Sequence, residues 1–102
     1  FQEDYDLEIF LENEATTFEK TELAAIVKDY PGIFRMDYLS KEDAAALYNA
    51  EFGEDVLSLL DDNPLPSSFR ITFEDDHRSA DYILTFIQNI YFVEMLLVQP
   101  LH

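Results

Sequence analysis

The sequence predicts an α+β fold in which two β-α-β units share one four-stranded antiparallel sheet. The first observation is period-two apolar alternation, typical of strands, at 5–11 and 69–73. The second is that each of these runs precedes a capped segment with apolar residues at helical spacing, followed by another apolar run at 33–39 or 93–98. Two such units define the split β-α-β, or ferredoxin-like, plan, and we expect its first and third strands to be central.

Length and composition limit the possible classes of protein. The chain has 102 residues, 48% of them hydrophobic, which suits one domain over 1–102. Six Lys and Arg against 22 Asp and Glu give a net charge of −16, which disfavours nucleic acid and anionic lipid as partners. Cysteine is absent, so disulfides and thiol catalysis are excluded. No apolar run approaches the ~20 residues of a membrane span and no signal peptide is recognisable, so we expect a cytosolic protein or a piece of a longer chain.

The first predicted unit begins with the strand at 5–11, which places Phe10 on its otherwise polar face. Thr16-Thr17-Phe18-Glu19 has the pattern of a capping box and predicts the start of a helix over about 17–30, which Pro31-Gly32 ends. The apolar stripe of this helix is Leu23, Ile26, Val27 and Tyr30. The residues expected on one face of the next strand, Ile33–Leu39, are Phe34, Met36 and Tyr38.

An insertion separates the two units. Where the ferredoxin-like plan needs only a hairpin turn, residues 40–65 predict a small helical lobe, and the sheet body comprises 5–39 and 66–98. Ser40 is the predicted cap of the main helix of the lobe and Gly53 its end, with a further short helix at 56–60. Asn63-Pro64-Leu65-Pro66 then forms a stiff connector, because each proline restricts the residue before it.

The second predicted unit repeats the first. Its strand is 69–73, and Ser79 is the predicted N-cap of the helix that follows. The apolar stripe of this helix is Ile83, Phe86, Ile87 and Ile90. The run 93–98 is expected to form the fourth strand, and since it is apolar on both faces, one of those faces is either covered or available for contact.

Four motifs occur in a characteristic order and spacing along this frame. They are Pro31-Gly32-Ile33, the segment 38–44 (Tyr-Leu-Ser-Lys-Glu-Asp-Ala), the segment 52–55 (Phe-Gly-Glu-Asp) and the segment 63–69 (Asn-Pro-Leu-Pro-Ser-Ser-Phe). Together they resemble the extracytoplasmic domain of FtsX, the permease-like cell-division protein. The similarity extends from Ile9 to Glu94, and 63–69 is its most specific part. The chain departs from the family pattern at 89–93, where the family usually has a glycine-containing turn.

The resemblance implies a domain on the outer side of the cytoplasmic (inner) membrane of a bacterium, between the first and second of four transmembrane helices. In that family the membrane protein pairs with the cytoplasmic ATPase FtsE, and we expect the full-length protein to be dimeric. The complex transmits ATP-driven motion to peptidoglycan hydrolases or their coiled-coil activators. This domain would then be a non-enzymatic docking surface that needs no cofactor.

The inserted lobe supplies the candidate partner-binding residues. Its large apolar side chains exceed what a small insertion can bury against itself, so they either seal the lobe onto the sheet or line a groove for an amphipathic helix. These apolar residues are Tyr48, Phe52, Val56, Leu57 and Leu60. The acidic residues that would form a rim around them are Glu51, Glu54 and Asp55. Both interpretations stay open, and the candidate partner-binding set follows the docking one.

Two other classes of function fit the sequence less well. Carboxylate pairs such as Asp61-Asp62 could serve a hydrolase, but sequence neighbours do not flank a sugar and are typical of solvated turns. Asp75-Asp76-His77 is likewise interpreted as a solvated turn, with adventitious calcium as the alternative and no metal site assigned. A ferredoxin-like small-molecule sensor is the alternative function. It is disfavoured because Glu12-Asn13-Glu14-Ala15, after the first strand, lacks the glycine expected of a ligand loop.

Overall fold

The computed structural model describes residues 5–52 and 65–98, with side chains described as far as residue 90. The helices and strands in order are β1 (Leu7–Phe10), α1 (Thr17–Asp29), β2 (Ile33–Leu39), α2 (Lys41–Phe52), β3 (Ser68–Phe73) and α3 (Ala80–Val98), with a 3-10 turn, Asp75–His77, before α3. β3 pairs antiparallel with both β1 and β2, which gives the sheet order β1-β3-β2. The elements β1, α1 and β2 therefore form a split β-α-β unit around β3, as predicted.

Local signals in the sequence define both ends of α1, as predicted. The backbone N–H of Glu19 donates to Thr16 Oγ1 at 3.1 Å, and the Glu19 carboxylate accepts from the Thr16 N–H at 2.8 Å, so the capping box is complete. After α1, Gly32 has a φ of +90°, a conformation that side chains other than that of glycine rarely adopt. The Pro31-Gly32 link thus turns the chain directly from the helix into β2.

The hydrophobic core lies between one face of the sheet and the two helices α1 and α3. Alternate residues of β3 share that face, because successive side chains of a strand point to opposite sides. The buried apolar residues are Leu11, Leu23, Val27, Phe69, Ile71, Phe73, Phe86 and Ile90. Burying one large apolar side chain stabilises a fold by about 1.5–3 kcal/mol, so this set accounts for much of the driving force. It includes members of both predicted helical stripes.

One position on the predicted face of β2 is wrong. The prediction places Phe34 on the same face as Met36, which packs against the core, yet the Phe34 side chain is 68% exposed. The pairing of β2 with β3 shifts register between Ile33 and Arg35, so β2 has one residue more than β3 at this point. Such a bulge redirects a side chain. Here it brings Ile33 against the core in place of Phe34.

The predicted fourth strand at 93–98 is also wrong, because these residues continue α3 without a break. The helix starts as predicted, with the Tyr82 N–H donating to Ser79 Oγ at 3.1 Å. No Gly or Pro occurs from 80 to 98, so the sequence contains nothing that would end the helix before the apolar run. The described sheet is therefore three-stranded. β3 is central as predicted, but the predicted central position of the first strand is wrong, because without a fourth strand beside it β1 lies at an edge. Across 5–52 and 65–98, no helix combines the length and the apolar character that crossing a bilayer requires.

Candidate functional site

Helix α2 is the part of the predicted lobe that the structure describes. Ser40 caps it, since the Asp43 N–H donates to Ser40 Oγ at 3.0 Å. Lys41 Nζ donates to Asn13 Oδ1 at 3.3 Å, which connects the start of α2 to the loop after β1. None of the residues of α2 is buried. The helix is therefore formed by local signals and leaves its apolar stripe largely uncovered.

An open groove of about 280 Å³ lies between α2 and the face of the sheet opposite the core. Tyr48 and Phe52 line it from α2, with ring centroids 4.6 Å apart and exposed fractions of 37% and 61%. Phe10 of β1, which is 62% exposed, lines it from the sheet. The remaining large apolar residues of the lining are Leu39, Leu47, Leu65 and Pro66. The groove is thus mainly apolar and open to solvent.

A part-buried ion pair forms the polar side of this groove. Glu8 Oε2 accepts from Ser68 Oγ at 2.7 Å and from Arg70 Nε at 3.1 Å, and the side chains of Arg70 and Glu8 are 15% and 16% exposed. The Arg70 guanidinium also lies over the ring of Tyr5, 4.6 Å from its centroid. Since a charge left alone at such low exposure is costly, these contacts hold both groups in place and join β1 to β3.

The structure describes part of the predicted partner-binding set. Tyr48, Phe52 and Glu51 all line the groove and are exposed, so on α2 the apolar residues are surface rather than core. The other predicted site residues, which lie outside the described residues, are Glu54, Asp55, Val56, Leu57 and Leu60. The predicted helix end at Gly53 and the start of the proline connector lie outside them as well.

Sequence reasoning missed the residues that the sheet contributes to the groove. Phe10 carried a usable signal, because it is an apolar residue on the otherwise polar face of a strand. Glu8 and Arg70 carried none, since their proximity depends on the register in which Glu8 of β1 stands opposite Arg70 of β3. Pro66 was assigned only to the connector, although it also lines the groove.

The comparisons with known proteins identify the family of the chain. Residues 4–98 match the family described as the FtsX extracellular domain. The chain is also 32% identical over 84 residues to the protein named "Cell division protein FtsX" of Flavobacterium johnsoniae. That alignment covers 82% of this chain and 29% of the relative, so the chain spans less than a third of the length of the relative it matches. The chain belongs to the FtsX extracellular-domain family and is an extracytoplasmic domain of a bacterial cell-division protein of the membrane.

Proposed function

We propose that this domain is a non-enzymatic docking module, and that its groove binds a peptidoglycan hydrolase or a coiled-coil activator of one. In the full-length protein, embedded in the cytoplasmic (inner) membrane as a dimer, the domain would receive motion driven by ATP hydrolysis in FtsE. It would pass that motion to the bound partner and so switch on cell-wall cleavage during division. Family membership and the groove beside α2 support this proposal.

The observation that carries the proposal is the joint exposure of Tyr48 and Phe52 on α2. Their rings contact each other and not the core, and Phe10 extends the same apolar surface across the sheet. Exposed apolar patches of this kind mark interaction sites, and aromatic anchors near the centre of an interface carry much of its binding energy. A partner helix with apolar residues at i, i+3 and i+4 is suited to such a groove.

Charge favours a partner with basic residues beside its apolar stripe. Glu51 stands at the rim of the groove, and the chain as a whole carries a net charge of −16. Within the groove, Arg70 is held by Glu8, so its positive charge is already compensated. Complementary charge at a rim raises the association rate and selects among partners more than it raises affinity.

The test is calorimetry with the hydrolase or coiled-coil activator from the same bacterium. Phe52→Ala should weaken binding by about 2 kcal/mol or more, which is roughly thirtyfold in Kd. The matched control is Phe34→Ala, because Phe34 is 68% exposed against 61% for Phe52 but lies at the start of β2, outside the groove. It should change Kd by less than about threefold. An unchanged Kd for well-folded Phe52→Ala, or equal losses in both variants, would reject the groove as the docking site.

A further inference from the structure

A cluster of metal-ligating side chains lies at the end of the sheet away from the groove. Glu74, Asp76 and His77, in the turn between β3 and α3, each offer one ligand atom, and these atoms lie within 4.8 Å of one another. His77 Nδ1 is 2.7 Å from Asp76 Oδ1 and 3.6 Å from Glu74 Oε1. We propose that these three residues bind a divalent transition-metal cation, with Zn²⁺ as the expected ion.

The imidazole of His77 is held in place by residues that are not ligands. A side chain on Gly32 would place its Cβ 2.7 Å from His77 Cγ, so the ring packs in the space that glycine leaves. On another side the ring contacts Tyr82, with centroids 4.9 Å apart in an edge-on arrangement. The Glu74 N–H donates to the Gly32 carbonyl at 2.8 Å, which fixes the start of the turn. A ligand whose ring is already positioned loses little conformational freedom when a metal binds.

The distances between the ligand atoms suit a small cation. Zn–N and Zn–O bonds of about 2.0–2.2 Å in tetrahedral geometry place ligand atoms about 3.3–3.6 Å apart, and Glu74 Oε1 already lies 3.6 Å from His77 Nδ1. The 2.7 Å between His77 Nδ1 and Asp76 Oδ1 is a hydrogen-bond distance, so the ion would replace this hydrogen bond and the two atoms would move apart. The adjustment falls on the carboxylates of Glu74 and Asp76, whose side chains are 51% and 83% exposed and can rotate. Three protein ligands leave the fourth position for water.

The charges around the cluster also favour a cation. Arg78, the nearest basic residue in the sequence, is directed elsewhere: its Nε lies 3.2 Å from Asp6 Oδ2 and its Nη1 lies 3.1 Å from Asp75 Oδ1. The net charge of −16 raises the local concentration of cations. Ca²⁺ and Mg²⁺ prefer oxygen ligands only, whereas imidazole suits Zn²⁺ and other transition metals. The nitrogen of His77 therefore distinguishes this cluster from the acidic turns elsewhere in the sequence.

The experiment is calorimetric titration of the chain with ZnCl₂. A His102→Ala background leaves His77 as the single histidine, since the chain has 2. We expect one Zn²⁺ per chain and a rise in melting temperature with excess Zn²⁺, because an ion that binds only the folded state stabilises it. MgCl₂ at the same concentration should give neither effect. His77→Gln should weaken Zn²⁺ binding by about tenfold or more.

A matched pair of variants separates coordination from general charge. Asp76→Asn and Asp75→Asn each remove one negative charge from the same turn, but only Asp76 belongs to the cluster. We expect about a tenfold loss of Zn²⁺ affinity for Asp76→Asn and less than about threefold for Asp75→Asn. Equal losses, unchanged binding in His77→Gln, equal binding of Mg²⁺, or no stoichiometric Zn²⁺ binding at all would each overturn the proposal.

Discussion

The two ends of the sheet use aromatic residues in opposite ways. At the end near Gly32, Phe73 and Phe86 meet at a centroid distance of 5.2 Å, and Tyr30 meets Phe86 at 4.8 Å. Phe73 and Phe86 are 1% and 0% exposed, because they lie between the sheet and both α1 and α3. At the other end, Tyr48 and Phe52 are as close to each other, at 4.6 Å, yet remain exposed.

This difference shows that contact between rings does not by itself make a core. The first cluster is covered by secondary structure on both sides, so its burial stabilises the fold. The second stands on one helix that buries none of its residues, so its apolar surface is still available. The closed end, which contains Tyr30, Phe73 and Phe86, supports the fold. The open end, which contains Tyr48 and Phe52, is where we place the docking site.

The largest expected effect is on stability, at the closed end. Phe86→Ala should lower the free energy of unfolding by about 3–5 kcal/mol, because it removes a fully buried ring and leaves a cavity. Phe52→Ala should change it by less than about 0.5 kcal/mol, as expected for an exposed site. Urea denaturation of both variants measures the contrast. A loss of several kcal/mol in Phe52→Ala would mean that the groove end is also core.

The same contrast separates what the sequence could predict from what it could not. Features set by neighbours in the chain were predicted, such as the capping box of Thr16 and Glu19 and the capping of later helices by Ser40 and Ser79. The fourth strand was not, because β-branched residues favour a strand only weakly and nothing at 89–93 stops the helix. The position of Phe34 depends on a bulge that forms against β3, which local sequence does not reveal.

The candidate site divides in the same way. Tyr48 and Phe52 were recognisable because they lie on a helical stripe in a segment that the basic fold does not require. The sheet side of the groove depends on strand register, so the pairing of Glu8 with Arg70 could not be derived. The three possible metal ligands are Glu74, Asp76 and His77, whereas the sequence analysis considered Asp75-Asp76-His77, because the sequence does not show which side chains of the turn face one another.

The second prediction at the closed end concerns Gly32. Gly32→Ala should lower the free energy of unfolding by about 1–3 kcal/mol, because the residue has a φ of +90° and its Cβ would meet the His77 ring. Thermal and urea denaturation measure the loss. Adding His77→Ala should restore only the part due to the clash, since the backbone strain remains. If Gly32→Ala is as stable as the original chain, the conclusion that Gly32 packs closely on His77 is wrong.

A smaller effect at the closed end should appear at alkaline pH. The Tyr82 hydroxyl donates to the Pro31 carbonyl, and burial, followed by the charges of Tyr30 and Glu74, raises the pKa of Tyr82 above its ordinary value of 10.0. The folded state favours the neutral phenol, so Tyr82 contributes to the free energy of unfolding. This contribution is fully present below the pKa of Tyr82 in the unfolded chain and is lost as pH rises through its pKa in the folded chain. Denaturation between about pH 8 and about pH 11 should show stability falling, and falling less in Tyr82→Phe. Parallel curves for the two proteins would contradict this assignment.

The smallest effect is expected at the rim of the open end, at Glu51. Glu51→Lys should leave stability unchanged, because the residue is exposed and an exposed charge contributes about 0–1 kcal/mol. It should slow association with the hydrolase or activator several-fold at low salt, and the difference should shrink as salt screens the rim. Stopped-flow measurements at about 50 and about 500 mM NaCl test this against Asp29→Lys, an exposed charge reversal at the end of α1 and outside the groove. If both variants slow association equally, only the net charge matters. If Glu51→Lys alone does so, the partner approaches the groove through its acidic rim, and the open end differs from the closed end in function as well as in packing.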